Sequence, residues 1–200
     1  MDRDGVINQE VGFIRDSSGL RILPGVSEAL RSLAPRFRLI VITNQSGIAR
    51  GLYSEEDLLA VNQELARQLA GQGASIEAFY YCPHLPEGNV PAYSVECPCR
   101  KPKPGMLRQA AEEFGIPLGR SYMVGDTPRD VQAAAAAGVM GILIGETAAG
   151  CPEGVTAVAS LLDAAELILK DLALTTEPGI DDARMAVEPI TAAAQRGEVA

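Results

Sequence analysis

Apolar residues along this chain alternate between short continuous runs and stripes spaced three and four apart. Val26, Leu30 and Leu33 form the first stripe, a helix opened by Pro24-Gly25 and closed at Pro35. Residues 37–43 (FRLIVIT) are a β-branched run that fits a buried parallel strand. A second helix begins at Ser54, where Asp57 three residues on completes a capping box. Its stripe is Leu58, Val61, Leu65 and Leu69, and Gly71 and Gly73 end it. Residues 76–81 (IEAFYY) read as the next strand, and a Cys/Pro-rich loop fills 82–104. The pattern then predicts a helix from about Gly105 to Phe114, a strand over 122–125 and an alanine-rich helix from Arg129 to Ala137, stopped by Gly138. A strand over 139–145, a short extended piece at 155–158 and a helix from Ser160 to about Leu172 complete the series.

Strands alternating with helices predict a doubly wound α/β fold with a parallel sheet, whose ligand site lies at the carboxyl ends of the strands. Residues 8–23 lack a clean period and read as a loop or short flap. The expected organisation is one domain over 1–173 and a mobile tail over 174–200, with a short helix around Ile190 to Gln195. There is no internal repeat and no sign of a second domain.

Composition narrows the function. Two hundred residues with 47% hydrophobic and 22% charged suit one domain with a buried core. No apolar run approaches the roughly 20 residues that span a bilayer, and no basic-plus-apolar leader opens the sequence. The net charge of −9 argues against nucleic acid as a partner. Of the three lysines, Lys101 and Lys103 flank one turn beside Arg100. Such a turn is either a grip for a small phosphorylated substrate or a solvated basic loop.

Four polar motifs accompany the predicted strands: Asp2-Arg3-Asp4-Gly5, TNQSG at 43–47, RKPKPG at 100–105 and GDTPRD at 125–130. Alternation sends Asp2 and Asp4 to the same side of an extended chain, and Gly5 lets the backbone turn away after them. Thr43 offers a hydroxyl and a backbone N–H to a phosphoryl oxygen, or simply caps a turn. Asn44, Gln45 and Ser46 add donors on the same loop. Asp126 and Asp130 suit either a hard cation or the N-terminus of the following helix, the second reading being stronger for Asp130. Cys82, His84, Cys97 and Cys99 have the residue types and spacing of a closed tetrahedral zinc site, which would staple the loop that carries Arg100 and Lys101. Cys151 stands apart. This cysteine usage fits a reducing cytosol better than disulfides.

Together the four motifs, in this order, resemble the haloacid dehalogenase phosphatase superfamily. The zinc loop running into CRKPKPGM, with DRDGVIN and TNQSGIARG, resembles the D-glycero-D-manno-heptose 1,7-bisphosphate 7-phosphatase family over about residues 2–170. The resemblance implies a cytoplasmic, magnesium-dependent enzyme that removes the 7-phosphate on the way to nucleotide-activated heptose for lipopolysaccharide. Asp2 would be the nucleophile that forms an aspartyl-phosphate, Asp4 the acid/base, and Thr43 and Lys101 the phosphate holders. Asp2, the Asp4 carbonyl and Asp126 would bind magnesium, and Arg100 and a flap at 10–15 would read the substrate. The fold implied is the HAD-like Rossmannoid with no large cap domain, acting as a monomer on a small phosphorylated sugar without a membrane partner. In that family an apolar strand delivers the first aspartate, and here only Met1 precedes it. An upstream start, a fragment or a degenerate copy would each explain this, and the intact downstream motifs favour the first. The alternatives are a histidinol-phosphate phosphatase, which SGIARG disfavours, and a catalytically silent zinc-stabilised scaffold lacking its first strand.

Overall fold

Side-chain alternation along three strands decides the architecture. The computed structural model describes residues 1–146, 150–175 and 194–196. Strand β1 (Ile40–Asn44) sends Val41 into one core and Ile40 and Ile42 into another. Strand β2 (Ala78–Cys82) divides Phe79 from Ala78 and Tyr80 in the same way, and β3 (Tyr122–Gly125) divides Val124 from Met123. The first core is closed by α1 (Val26–Leu33), α2 (Glu55–Gly71) and α5 (Leu161–Thr175). The second is closed by α3 (Gly105–Phe114) and α4 (Pro128–Ala137). With helices on both faces, the strands must be apolar on both sides, which is why they read as continuous runs.

The sheet is parallel throughout, as the alternating elements predict. Strand β4 (Met140–Ile144) pairs with β3 and with β5 (Thr156–Val158), while β1 pairs with β2. The two halves meet across the first two residues. Met1 donates its amino nitrogen to the Ile40 carbonyl at 3.0 Å and accepts from the Ile42 N–H at 2.8 Å. Asp2 donates its N–H to the Val124 carbonyl at 2.8 Å. Met1 and Asp2 therefore occupy the sheet's centre, between β1 and β3, and aim the following loop at the carboxyl ends. No large cap domain stands over those ends among the described residues.

Local signals hold where they are strongest. Ser54 and Asp57 make both bonds of the expected capping box, and Gly138 ends α4 in the left-handed conformation at φ 75°. The flap is closed at its base, where Gln9 N–H donates to Arg21 O and Leu23 N–H to Ile7 O. One expectation needs correction. Ala194–Arg196 forms a strand, β6, parallel to Ala78–Tyr80 of β2, where a helix was expected to reach Gln195. The alanine-rich local sequence favours helix, but the outer edge of β2 offers backbone groups that a strand satisfies. The rest of that expected helix lies outside the described residues.

Candidate active site

Lys101 is the pivot of the site. It is almost wholly buried, and its Nζ lies 2.8 Å from Asp2 Oδ2 and 2.6 Å from Asp130 Oδ1, while donating to Ile42 O at 2.7 Å. Burial alone would lower its pKa, but Asp2 and then Asp130 raise it above the usual lysine range, so it stays charged. Asn44 sets its place. The Asn44 side chain donates to Lys101 O and accepts from Lys101 N–H, both at 3.0 Å, which docks the turn onto the end of β1. Asn44 is thus engaged with backbone while it also lines the site's cavity, as does Gln45.

Asp126 follows β3 and faces Gly5. A Cβ at Gly5 would stand 2.0 Å from Asp126 Oδ2, and φ there is +76°, so both the approach and the turn need glycine. Burial pushes Asp126 up to about 7, with Asp2 and Asp130 adding to it. Burial also raises Asp2, against the pull of Lys101. Asp2, Asp126 and Asp130 each place an oxygen within 4.8 Å of the others. Asp130 has both oxygens taken, one by Lys101 and the other by Thr127 N–H and Oγ1 in the capping box of α4. Asp2 is also engaged, by Arg3 N–H at 2.7 Å and by Lys101, but it and Asp126 are crowded carboxylates of raised pKa that line the cavity, a donor set that fits a hard divalent cation such as magnesium.

Asp4 is held by a network that sequence reading missed. Its Oδ1 accepts from Asn8 Nδ2 at 2.9 Å and Arg3 Nε at 3.3 Å, and its Oδ2 from Gln45 Nε2 at 2.8 Å and Arg3 Nη2 at 3.0 Å. Burial would raise Asp4, but the Arg3 charge and these hydrogen bonds hold it below the usual carboxylate range. Arg3, 1% exposed, also reaches Asn62 Oδ1 at 2.9 Å and Gln45 Oε1 at 3.1 Å. Tyr53 OH donates to Gln45 Oε1 at 2.7 Å, so the Gln45 amide serves Asp4 and the buried network. A signal for this existed: Asn62 lies four residues after Leu58 on the apolar face of α2.

These groups open on a cavity of about 220 Å³ lined by Asp2, Asp4, Thr43, Ser46, Lys101, Asp126 and Arg129, with Glu10, Gly12 and Phe13 of the flap. That volume is small beside the roughly 300–1,000 Å³ of drug-sized ligand sites and suits the phosphorylated end of a substrate. Thr43 is buried, with its hydroxyl accepting from Gln45 Nε2 at 2.9 Å. Arg100 is not in the wall, and its Nη1 donates to His84 O at 3.2 Å. A larger cavity of about 380 Å³ opens beside Tyr122 and Met140, at the opposite ends of β3 and β4. It contains Glu153 and Asp171 but no cation and no metal-ligand cluster among the described residues, so the chemistry belongs to the smaller one.

Cys82, His84, Cys97 and Cys99 converge behind this site. Sγ separations are 3.6 Å for Cys82–Cys97 and 3.2 Å for Cys97–Cys99, and His84 Nδ1 lies 3.7 Å from Cys82 and 3.4 Å from Cys99. Those distances exclude disulfides and lie near the ~3.6–3.8 Å edges of a tetrahedron built on zinc–ligand bonds of about 2.0–2.3 Å. The Cys99 pKa is raised by contact with Cys82 and by burial.

A carboxylate paired with a buried lysine, a second carboxylate two residues on and a third across a glycine turn are the parts of a phosphoaspartate phosphohydrolase of the haloacid dehalogenase class. Residues 98–173 match the family model described as HAD-hyrolase-like. The chain is 44% identical over 140 residues to the D-glycero-beta-D-manno-heptose-1,7-bisphosphate 7-phosphatase of Yersinia pestis, covering 70% of this chain and 74% of that protein. It is 43% identical over 142 residues to the enzyme of that name from Rhodopseudomonas palustris, covering 70% and 79%. The crystal structure of the D,D-heptose 1,7-bisphosphate phosphatase of B. bronchiseptica, complexed with magnesium and phosphate, superposes with a TM-score of 0.76. Sequence identity there is 36%, over 85% of this chain and 96% of that one. The chain belongs to the D-glycero-D-manno-heptose 1,7-bisphosphate 7-phosphatase family.

Proposed function

We propose that this chain is a magnesium-dependent phosphatase that hydrolyses the 7-phosphate of D-glycero-D-manno-heptose 1,7-bisphosphate. The observation that carries this reading is the placement of Asp2 against buried Lys101 at the mouth of a cavity shared with Asp4 and Asp126. An Asp2 carboxylate oxygen attacks phosphorus, the bond from phosphorus to the C7 oxygen breaks, and Asp4 gives that oxygen a proton. A water molecule then loses a proton to Asp4 and attacks the aspartyl-phosphate, which releases phosphate and restores both carboxyl groups. Resting Asp4 is ionised by its four donors, so the arriving phosphate, a like charge beside it, raises its pKa for the acid step. Lys101 keeps Asp2 in place, and Thr43 lines the phosphoryl position. Magnesium held by Asp2, Asp126 and the Asp4 carbonyl would neutralise the phosphoryl oxygens.

The four-ligand cluster supports a structural zinc held by Cys82, His84, Cys97 and Cys99, since a closed set leaves no open position for catalysis. No helix among the described residues is long and apolar enough to cross a membrane. On this reading the enzyme is a cytoplasmic monomer that supplies the route to nucleotide-activated heptose for lipopolysaccharide. Its relatives carry the β name, so the β anomer is the first substrate to assay. Phosphorus NMR of the reaction decides the reading: the C7 phosphate signal should vanish while the C1 signal stays. Loss of the C1 phosphate, or a preference for histidinol phosphate, would replace it.

A further inference from the structure

The Gln45 side-chain amide joins Asp4 to Thr43 and uses all of its hydrogen-bonding capacity. Its nitrogen donates to Asp4 Oδ2 at 2.8 Å and to Thr43 Oγ1 at 2.9 Å. Its oxygen accepts from Arg3 Nη2 at 3.1 Å and from Tyr53 OH at 2.7 Å. The backbone is fixed separately, the Gln45 N–H donating to the Cys82 carbonyl at 2.8 Å. An amide has two donor and two acceptor positions, so none is left over. Which end faces Asp4 matters. Turned over, the amide would set its oxygen against the Asp4 carboxylate and its nitrogen against a guanidinium, which cannot accept.

Tyr53 makes the shortest of these four bonds, and its position is tightly set. The ring is buried and lines the catalytic cavity. A Cβ at Gly47 would stand 2.1 Å from Tyr53 Cε1 and 2.6 Å from the hydroxyl, so the ring fits only over a glycine. On its apolar side Tyr53 belongs to a cluster with Ile48, Leu58 and Tyr81. Packing there needs only the ring, whereas the hydroxyl goes to Gln45. Tyr53 directly precedes the Ser54 cap of α2, and Asn62 on that helix holds Arg3, the other donor to the Gln45 oxygen. Both grips on the amide therefore depend on α2.

We propose that Tyr53 is a positioning residue for proton transfer: its hydroxyl locks the Gln45 amide, which holds Asp4 where it gives a proton to the leaving oxygen. This rests on the phosphatase reading above. A sugar alkoxide is a poor leaving group that needs the proton, while nitrophenolate departs as the anion and needs it little. The value of kcat/KM covers the steps up to that departure. Its ratio for heptose 1,7-bisphosphate over p-nitrophenyl phosphate therefore isolates the acid step. A smaller fraction of folded enzyme lowers both values alike and leaves the ratio unchanged. In Tyr53→Phe, which keeps the ring, the ratio should fall about tenfold, as loss of one buried hydrogen bond predicts. Tyr81→Phe removes a hydroxyl from the same cluster, one that donates to Glu55 Oε2 at 3.0 Å, and should leave the ratio at its native value. A ratio that holds in Tyr53→Phe, or that falls as far in Tyr81→Phe, overturns the proposal. Where the native chain fails on either compound, NMR of the Gln45 side-chain amide judges the lock directly, and failure on both also sinks the phosphatase reading. Exchange of those amide hydrogens with water should quicken about tenfold or more in Tyr53→Phe, and an unchanged rate overturns the proposal there too.

Discussion

Arg3 shows how a buried charge is tolerated when every side of it is engaged. Its guanidinium meets Asp4, Gln45 and Asn62, and Asn62 comes from a helix whose other inward residues are apolar. Removing one partner leaves a buried donor bare. Asn62→Ala should therefore cost about 1–3 kcal/mol of stability in urea unfolding, and an unchanged midpoint would contradict the network. The DxDG spacing treats residue 3 as a spacer, so the sequence reading finds the two aspartates and misses the arginine that orients one of them. Asn44 and Gln45 line the cavity as the sequence reading expects, but their bonds to the Lys101 backbone and to Asp4, Arg3, Thr43 and Tyr53 are long-range partnerships that spacing does not show. Asp126 yields a pH prediction. Its pKa rises from 3.8 in the open chain to about 7 in the metal-free fold, so the fold holds this proton more tightly. The stability it contributes is present at low pH and is lost as pH rises through about 7. Magnesium, which needs the carboxylate, offsets that loss. It should raise Tm more near about pH 8 than near about pH 5.5, and its affinity should fall about tenfold per pH unit below about 7. Calorimetry at several pH values checks this, and a flat affinity would exclude Asp126 as a ligand.

At the scale of elements, the loop between β2 and α3 has too few apolar residues to hold its own shape, yet it must deliver Lys101 to Asp2. Two devices do this. The Asn44 amide clamps the Lys101 backbone from β1, and the cysteine–histidine cluster fixes the loop behind it, tied to Arg100 through the His84 carbonyl. On the zinc reading, chelation followed by return of magnesium alone should lower Tm and reduce kcat/KM about tenfold or more, and adding zinc should restore both. Full activity in chelated, zinc-free protein would mean that the loop holds itself. The helices with clear stripes and caps were legible because their start and stop signals are local. Strand β6 was not, because its pairing with β2 comes from a distant edge that no local window contains.

For the whole molecule, alternating periodicity was enough to specify a doubly wound sheet, since two helical layers require strands that are apolar on both faces. What periodicity leaves open is the meeting of the two half-sheets. Met1 and Asp2 bridge them through bonds to Ile40, Ile42 and Val124, and that bridge sets Asp2 among groups drawn from β1, the cysteine–histidine loop and the end of β3. A net charge of −9 would repel a bisphosphate at long range, so binding depends on the few cations gathered at this spot. On the proposed mechanism, Asp2 carries the phosphoryl group. Phosphate release from heptose 1,7-bisphosphate with magnesium, measured for the native chain and Asp2→Asn side by side, tests it most directly. The native chain should turn over, and the variant should lose at least about a thousandfold with its fold intact by circular dichroism. Comparable turnover by Asp2→Asn would contradict it.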